Sequence, residues 1–193
     1  MQPASPIPQA PRRIVLVGFM GAGKSTVGAI LAERLGWRFI DADQHLQART
    51  GSTISELFQQ HGEAAFRRLE AELFAELSRE LELVIALGGG AVETGSTRLL
   101  LDQSDDTRVI YLRAPLEVLI ERCENQPNAA LRPVLRQREA LGQRFQSRLP
   151  HYERAHITVD TDGLHPHIVV DCILHRLVES SAAPPFRLKA MAT

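Results

Sequence analysis

Apolar and polar positions along the chain follow two alternating periods. Ile14-Val15-Leu16-Val17 is a short unbroken apolar run, the mark of a strand buried on both faces, and predicts a strand over Arg13–Val17. After a glycine-rich gap, Val27, Ile30, Leu31 and Leu35 recur at helical spacing until Gly36 stops the run, which predicts a helix over Lys24–Leu35. The same reading places strands at Trp37–Ile40, Leu83–Leu87, Thr107–Leu112 and His156–Asp160. Helices are expected over Ser52–His61, Glu63–Glu80, Pro115–Arg122, Arg138–Arg148 and Pro166–Glu179. Strands alternating with helices argue for a parallel sheet covered on both faces, with ligands beyond the carboxyl ends of its strands. Pro3, Pro6, Pro8 and Pro11 predict an extended or disordered leader over residues 1–11, and no period is sustained from Ser180 onward. One folded domain is therefore expected over 12–179, with a flexible tail over 180–193.

Composition narrows the setting. A chain of 193 residues suffices for one α/β domain with a real core. The net charge of −1 supplies no basic field for nucleic acid or an anionic membrane. Cys123 and Cys172 are too few for a disulfide framework and suit a reducing cytosol. No apolar run reaches membrane-spanning length, and no charged-then-apolar signal pattern opens the chain, so a cytoplasmic protein is expected.

The gap between the first strand and helix reads G-F-M-G-A-G-K-S from Gly18 to Ser25, a phosphate-binding loop in the strand–loop–helix setting it requires. Glycines let backbone N–H groups approach phosphate oxygens, and the helix N-terminus adds its dipole. Lys24 can then reach the β/γ-phosphates and the Ser25 hydroxyl can ligate Mg²⁺. After the second strand come Asp41 and Asp43, which on a strand end point the same way. One could support a hydrated metal and the other a substrate hydroxyl; a solvated turn or a helix N-cap reads equally well. After the third strand, Gly88-Gly89-Gly90 implies close backbone approach, to a ligand or to a packed helix. Arg67 and Glu70 are helical neighbours that form either a solvated face or an aimed guanidinium for an anion. The proline-punctuated stretch over about 124–137, with Arg132 and Arg136, suits a mobile lid or an ordinary surface loop.

Taken together, the motifs G-F-M-G-A-G-K-S-T, D-A-D, F-R-R-L-E, L-G-G-G-A-V, L-R-P-V-L and R-L-P-H-Y resemble shikimate kinase in order and spacing, over about Arg12 to Val178. The resemblance implies a P-loop NTPase of the nucleoside-monophosphate-kinase-like type: an α/β fold with a five-stranded parallel sheet of order 2-3-1-4-5, helices on both faces and a mobile lid. It implies ATP-dependent phosphorylation of the 3-hydroxyl of shikimate, with ATP as co-substrate and Mg²⁺ as cofactor, by a monomer without nucleic-acid or membrane partners. By position, Gly21, Ala22, Gly23, Lys24, Ser25 and Thr26 would wrap the ATP phosphates, and Ser25 and Asp41 would hold the metal. Lys24, Asp43 and Arg132 would be catalytic, with Asp43 also taking the shikimate hydroxyls. Arg67 and Arg148 would clamp the carboxylate, Glu70 steadying Arg67, while Gly89 and Gly90 offer backbone to the ring hydroxyls. Ile54, Phe58 and Phe66 would line the pocket. Arg132 would reach ATP from the lid, and Arg122 and Pro166 would flank adenine. The stretch from Arg122 to Arg132 is longer than the common pattern and has no arginine within it, Ala86-Leu87 replaces a hydroxylated strand end, and Leu164 stands where a polar residue is frequent. Kinases for other small hydroxy acids such as gluconate, and a catalytically silent ATP-binding module, are the competing readings. A guanine-specific switch is disfavoured, since neither Asn125 nor Asn128 begins an N-K-x-D element.

Overall fold

The computed structural model describes residues 11–103, 106–125 and 138–182. Its centre is β1 (Arg13–Val17), whose five residues are all buried, as an unbroken apolar strand requires. β3 (Leu83–Ala86) and β4 (Thr107–Arg113) pair with it in parallel on either side, β2 (Arg38–Asp41) adds beyond β3, and β5 (Ile157–Asp160) adds beyond β4. The five-stranded order is thus β2-β3-β1-β4-β5, as the resemblance implied. Arg13 holds the opposite edge of the sheet. Its guanidinium donates to the Glu80 carbonyl and to Thr107 Oγ1, at 2.6 and 2.9 Å from Nη2 and Nη1.

Helices α1 (Lys24–Leu35), α2 (Ala42–Thr50), α3 (Ile54–Leu77), α4 (Gly95–Asp102), α5 (Leu116–Glu124), α6 (Arg138–Tyr152) and α7 (Pro166–Ala182) cover the sheet. α1 packs against β2, β3 and α7, and α3 packs on α2 and α4. Register brings the functional loops to one edge. Leu16 aligns with Ala86, Asp41 with Ala86 and Val17 with Tyr111, so the segments after β1, β2 and β3 leave side by side. None of the helices is long and apolar enough to cross a membrane among the described residues.

Two helices had no counterpart in the periodicity. α2 buries only Ala42 and Leu46, too little for a stripe; its start is set by Asp41, which caps the Gln44 N–H. α4 opens on Gly95 and carries three consecutive leucines, a run without helical spacing. The two helices expected on either side of Gly62 form one stretch bent at that residue, which has φ 74°. α6 passes Arg148 and runs through Pro150 to Tyr152. Tyr152 is fully buried, stacks on Tyr111 and donates to the Gly89 carbonyl, which holds this last turn against the proline.

The β4–β5 edge carries a titratable link. His156 Nδ1 accepts from the Val109 backbone N–H at 2.9 Å, and burial holds its pKa below the ordinary value. Because the folded value lies below the unfolded one, this stabilisation is present above the ordinary histidine pKa and is lost as pH falls from there through the depressed folded value. Urea unfolding between about pH 7 and pH 5 is expected to show stability falling with acidification, and His156→Leu to flatten that slope.

Candidate active site

Gly18 to Gly23 turns from β1 into α1, with Gly23 at the N-cap in the left-handed region at φ 86°. No side chain caps this helix and its first turn is free of acidic residues. Its leading amides therefore face the phosphate position without a built-in competitor. Gly21 lies against α5: a Cβ there would meet the Leu119 carbonyl and come within 3.0 Å of Cys123 Sγ. Cys123 is thus part of the loop's packed floor, and neither it nor Cys172 forms a disulfide. Lys24 Nζ curls back along the loop to donate to the carbonyls of Gly18 and Phe19 at 2.8 and 3.1 Å. Burial pushes its pKa down, against the pull of Asp43 and Asp41.

The two aspartates do not share a strand end, as their spacing suggested. Asp41 closes β2 and caps α2, whereas Asp43 lies in the first turn of α2. The backbone changes from extended at Asp41 to helical at Asp43, so the two-residue strand alternation that would align them is broken. Asp41 Oδ2 accepts from Ser25 Oγ at 2.5 Å, and Asp43 Oδ1 turns toward Gly88. Among the described residues no group of three or more His, Cys, Asp or Glu side chains could hold an ion. The Ser25–Asp41 pair of hard oxygens instead fits Mg²⁺, which keeps waters and phosphate oxygens in its shell.

Beyond β3 the triple glycine meets four charged side chains. A Cβ on Gly88 would sit 2.7 Å from Asp43 Oδ1 and closer to Glu70 Oε1; one on Gly90 would sit 2.6 Å from Arg67 Cζ. A Cβ on Gly89 would lie 3.7 Å from Arg148 Nη1. Arg67, on α3, donates to Glu70 Oε2 at 2.7 Å and lies over Phe58 and Phe66, 5.9 and 5.3 Å from the ring centroids. Arg148, on α6, lies over Phe19 at 5.7 Å. Glu70 is only 3% exposed, and burial drives its pKa up although Arg67 opposes the shift. Among the described residues, Glu70 Oε1 and Arg148 Nε are buried without a hydrogen-bond partner. Unsatisfied groups of that kind are costly, and here they belong to the side chains that converge on the glycine turn.

Two participants had no assigned role in the sequence reading. Glu93 ends the 3-10 turn Ala91–Glu93 and places Oε2 2.9 Å from Arg148 Nη2 and 3.6 Å from Arg67 Nη2. Tyr152 anchors the Gly89 carbonyl. Nothing in the pattern marked Glu93, whereas Tyr152 stood within the R-L-P-H-Y motif. Arg122 is tied to Thr161 after β5, donating to its hydroxyl at 2.9 Å and to its carbonyl at 2.5 Å, and Pro166 opens α7 beyond that loop. Ile54 and Phe58 are partly buried against the core. Arg132, Arg136 and all of the expected lid except Glu124 and Asn125 lie outside the described residues. Arg138 and Glu124, which flank that segment, pair at 2.8 Å.

Comparison with known proteins decides the family. The family model for shikimate kinase matches residues 20–178. The chain belongs to the shikimate kinase family. Within that family it is 38% identical over 167 residues to the shikimate kinase of Persephonella marina, covering 86% of this chain and 99% of that protein. It is 44% identical over 148 residues to that of Aromatoleum aromaticum, covering 76% and 83%. Among solved structures, the shikimate kinase from Acinetobacter baumannii in complex with shikimate superposes with a TM-score of 0.82 at 35% identity, covering 90% and 96%. A gluconokinase from Sinorhizobium meliloti, at 20% identity and a TM-score of 0.55, shares the fold alone.

The glycine turn of this shikimate kinase family member yields a discriminating test. Gly88→Ala and Gly90→Ala must displace held side chains and are expected to cost about 1–3 kcal/mol. Gly89→Ala, whose Cβ meets nothing closer than 3.6 Å, is expected to stay within about 0.5 kcal/mol of wild type. Urea unfolding of the three variants measures the difference.

Proposed function

We infer that this chain transfers the γ-phosphate of ATP to the 3-hydroxyl of shikimate, giving shikimate 3-phosphate on the route to chorismate and the aromatic amino acids. The observation that carries the reading is the convergence of Arg67, Arg148 and Asp43 on the glycine turn beside the phosphate loop. Two guanidiniums answer a carboxylate, and a nearby aspartate answers a hydroxyl. The shikimate named in the bound Acinetobacter baumannii structure has both groups.

Phosphoryl transfer asks mainly for in-line positioning and neutralised charge. The amides of Gly21 to Thr26 would wrap the phosphates, and Lys24 would leave the Gly18 and Phe19 carbonyls to reach the β/γ-oxygens. Ser25 and Asp41 would hold a hydrated Mg²⁺, which would supply further positive charge to the phosphates. Asp43 would take the ring hydroxyls and aim the 3-hydroxyl. It need not be a strong base, because a loose transition state requires little early proton removal. Arg67 and Arg148 would fix the carboxylate, with Glu70 holding Arg67 in direction, while Gly89 and Gly90 meet the ring with bare backbone. Arg132 would join the transferring phosphate from the lid, and Arg122 and Pro166 would border adenine. The near-neutral charge offers no field for a nucleic-acid or membrane partner, and a cytoplasmic monomer is the expectation the family carries.

Coupled detection of ADP with Mg²⁺, with shikimate or gluconate as acceptor, tests the reading. Shikimate is expected to be the preferred acceptor and Lys24→Ala to abolish turnover. Arg67→Ala and Arg148→Ala are each expected to raise the KM for shikimate about 10- to 100-fold, the loss of a charge-assisted hydrogen bond of about 1.5–3 kcal/mol. Asp43→Asn is expected to lower kcat by about 10²–10⁴ while leaving the KM for ATP in place. Unchanged steady-state kinetics in Arg67→Ala would refute the carboxylate clamp. ATP binding with no shikimate-stimulated ADP release would leave a silent module.

A further inference from the structure

The clamp arginines already hold a carboxylate. Glu93 sets Oε2 against Arg148 Nη2 at 2.9 Å and Arg67 Nη2 at 3.6 Å, the pairing that a substrate acid would make with the same two guanidiniums. The two acids of the clamp are anchored differently. Glu70 is 3% exposed, hydrogen-bonded to Arg67 Nη1 and wedged against Gly88, so it cannot leave. Glu93 is fixed through its backbone. Its N–H donates to the Gly90 carbonyl and its own carbonyl accepts from Arg98 Nη1, at 3.0 and 2.7 Å. Its side chain is 34% exposed, so it can turn into solvent while the main chain stays in place.

Resting on the reading of the site as a shikimate clamp, we propose that Glu93 is an internal stand-in for the substrate carboxylate, which the incoming acid must displace. Arg67 and Arg148 are balanced by Glu70 and Glu93, with Glu63 a further 3.4 Å neighbour of Arg67. A second mobile carboxylate in the same place would add like-charge repulsion. The substrate acid therefore replaces Glu93 instead of joining it. An uncharged polyol has nothing to offer the arginines in exchange. Glu93 thus sets the affinity of the clamp by competing with the incoming acid for the same two guanidiniums.

The test compares wild type with Glu93→Gln, which keeps the size and removes the charge. The KM for shikimate is expected to fall by up to about fivefold, a larger change than in kcat or the KM for ATP, the scale of a partly exposed ion pair. Calorimetric titration with cyclohex-1-enecarboxylate, which has the acid but no hydroxyl to phosphorylate, reads the clamp without turnover and decides the proposal. Tighter binding to Glu93→Gln supports it; equal or weaker binding overturns it. If neither protein releases ADP with shikimate, the proposed function fails, while the titration still decides the role of Glu93. Should Glu93→Gln not fold, Glu93→Asp draws the acid back by one methylene. The same titration is then expected to tighten by a smaller factor, and unchanged or weaker binding overturns the proposal.

Discussion

Bare backbone at Gly88–Gly90 is the constraint on which the site depends. Asp43 comes from α2, Glu70 and Arg67 from α3, and Arg148 from α6, and all of them close over the end of β3. Any Cβ at Gly88 or Gly90 would occupy the space their charged ends take. None of the three glycines has a positive φ, so what the residue type supplies here is room and not an unusual backbone. The cost of ordering three glycines is met by the sheet register. Leu87 N–H donates to the Leu16 carbonyl, and Tyr152 holds the Gly89 carbonyl from the far side.

Electrostatics then explains why the charges remain charged. Two arginines, each lying over an aromatic ring, are brought out of water beside buried or half-buried acids. Breaking such a pair by removing one partner leaves an uncompensated charge and is costlier than the pair is stabilising. The Glu70 carboxyl, with its raised pKa and an unpartnered oxygen, carries part of that cost. The phosphate loop shows the same economy on its own side, with Lys24 satisfied by loop carbonyls and Ser25 by Asp41. Lys24, Ser25 and the outer edges of Arg67 and Arg148 thus have interim partners that a ligand can replace.

Legibility in the sequence followed the strength of local signals. β1 and α1 match the expected bounds residue for residue, because an apolar run and a helical stripe meet at a loop of distinctive composition. Gly62 bends α3 where the pattern broke. What escaped was short or polar. α2 has too few apolar positions to show a period, and missing it turned Asp41 and Asp43 into strand neighbours when one caps a helix and the other rides on it. α4 hides its stripe in three consecutive leucines. Glu93 could not be found from pattern at all. Its significance arises when α3, α6 and the turn after β3 meet in space, a long-range event with no local mark.

A structure determined with shikimate and a non-hydrolysable ATP analogue bound together tests the central claim most directly. The carboxylate is expected between Arg67 and Arg148, the 3-hydroxyl within hydrogen-bonding distance of Asp43 and the same hydroxyl oxygen in line with the γ-phosphate on the Gly18–Ser25 loop. A shikimate ring bound away from the glycine turn, or turned with its carboxylate toward the phosphate loop, would contradict it.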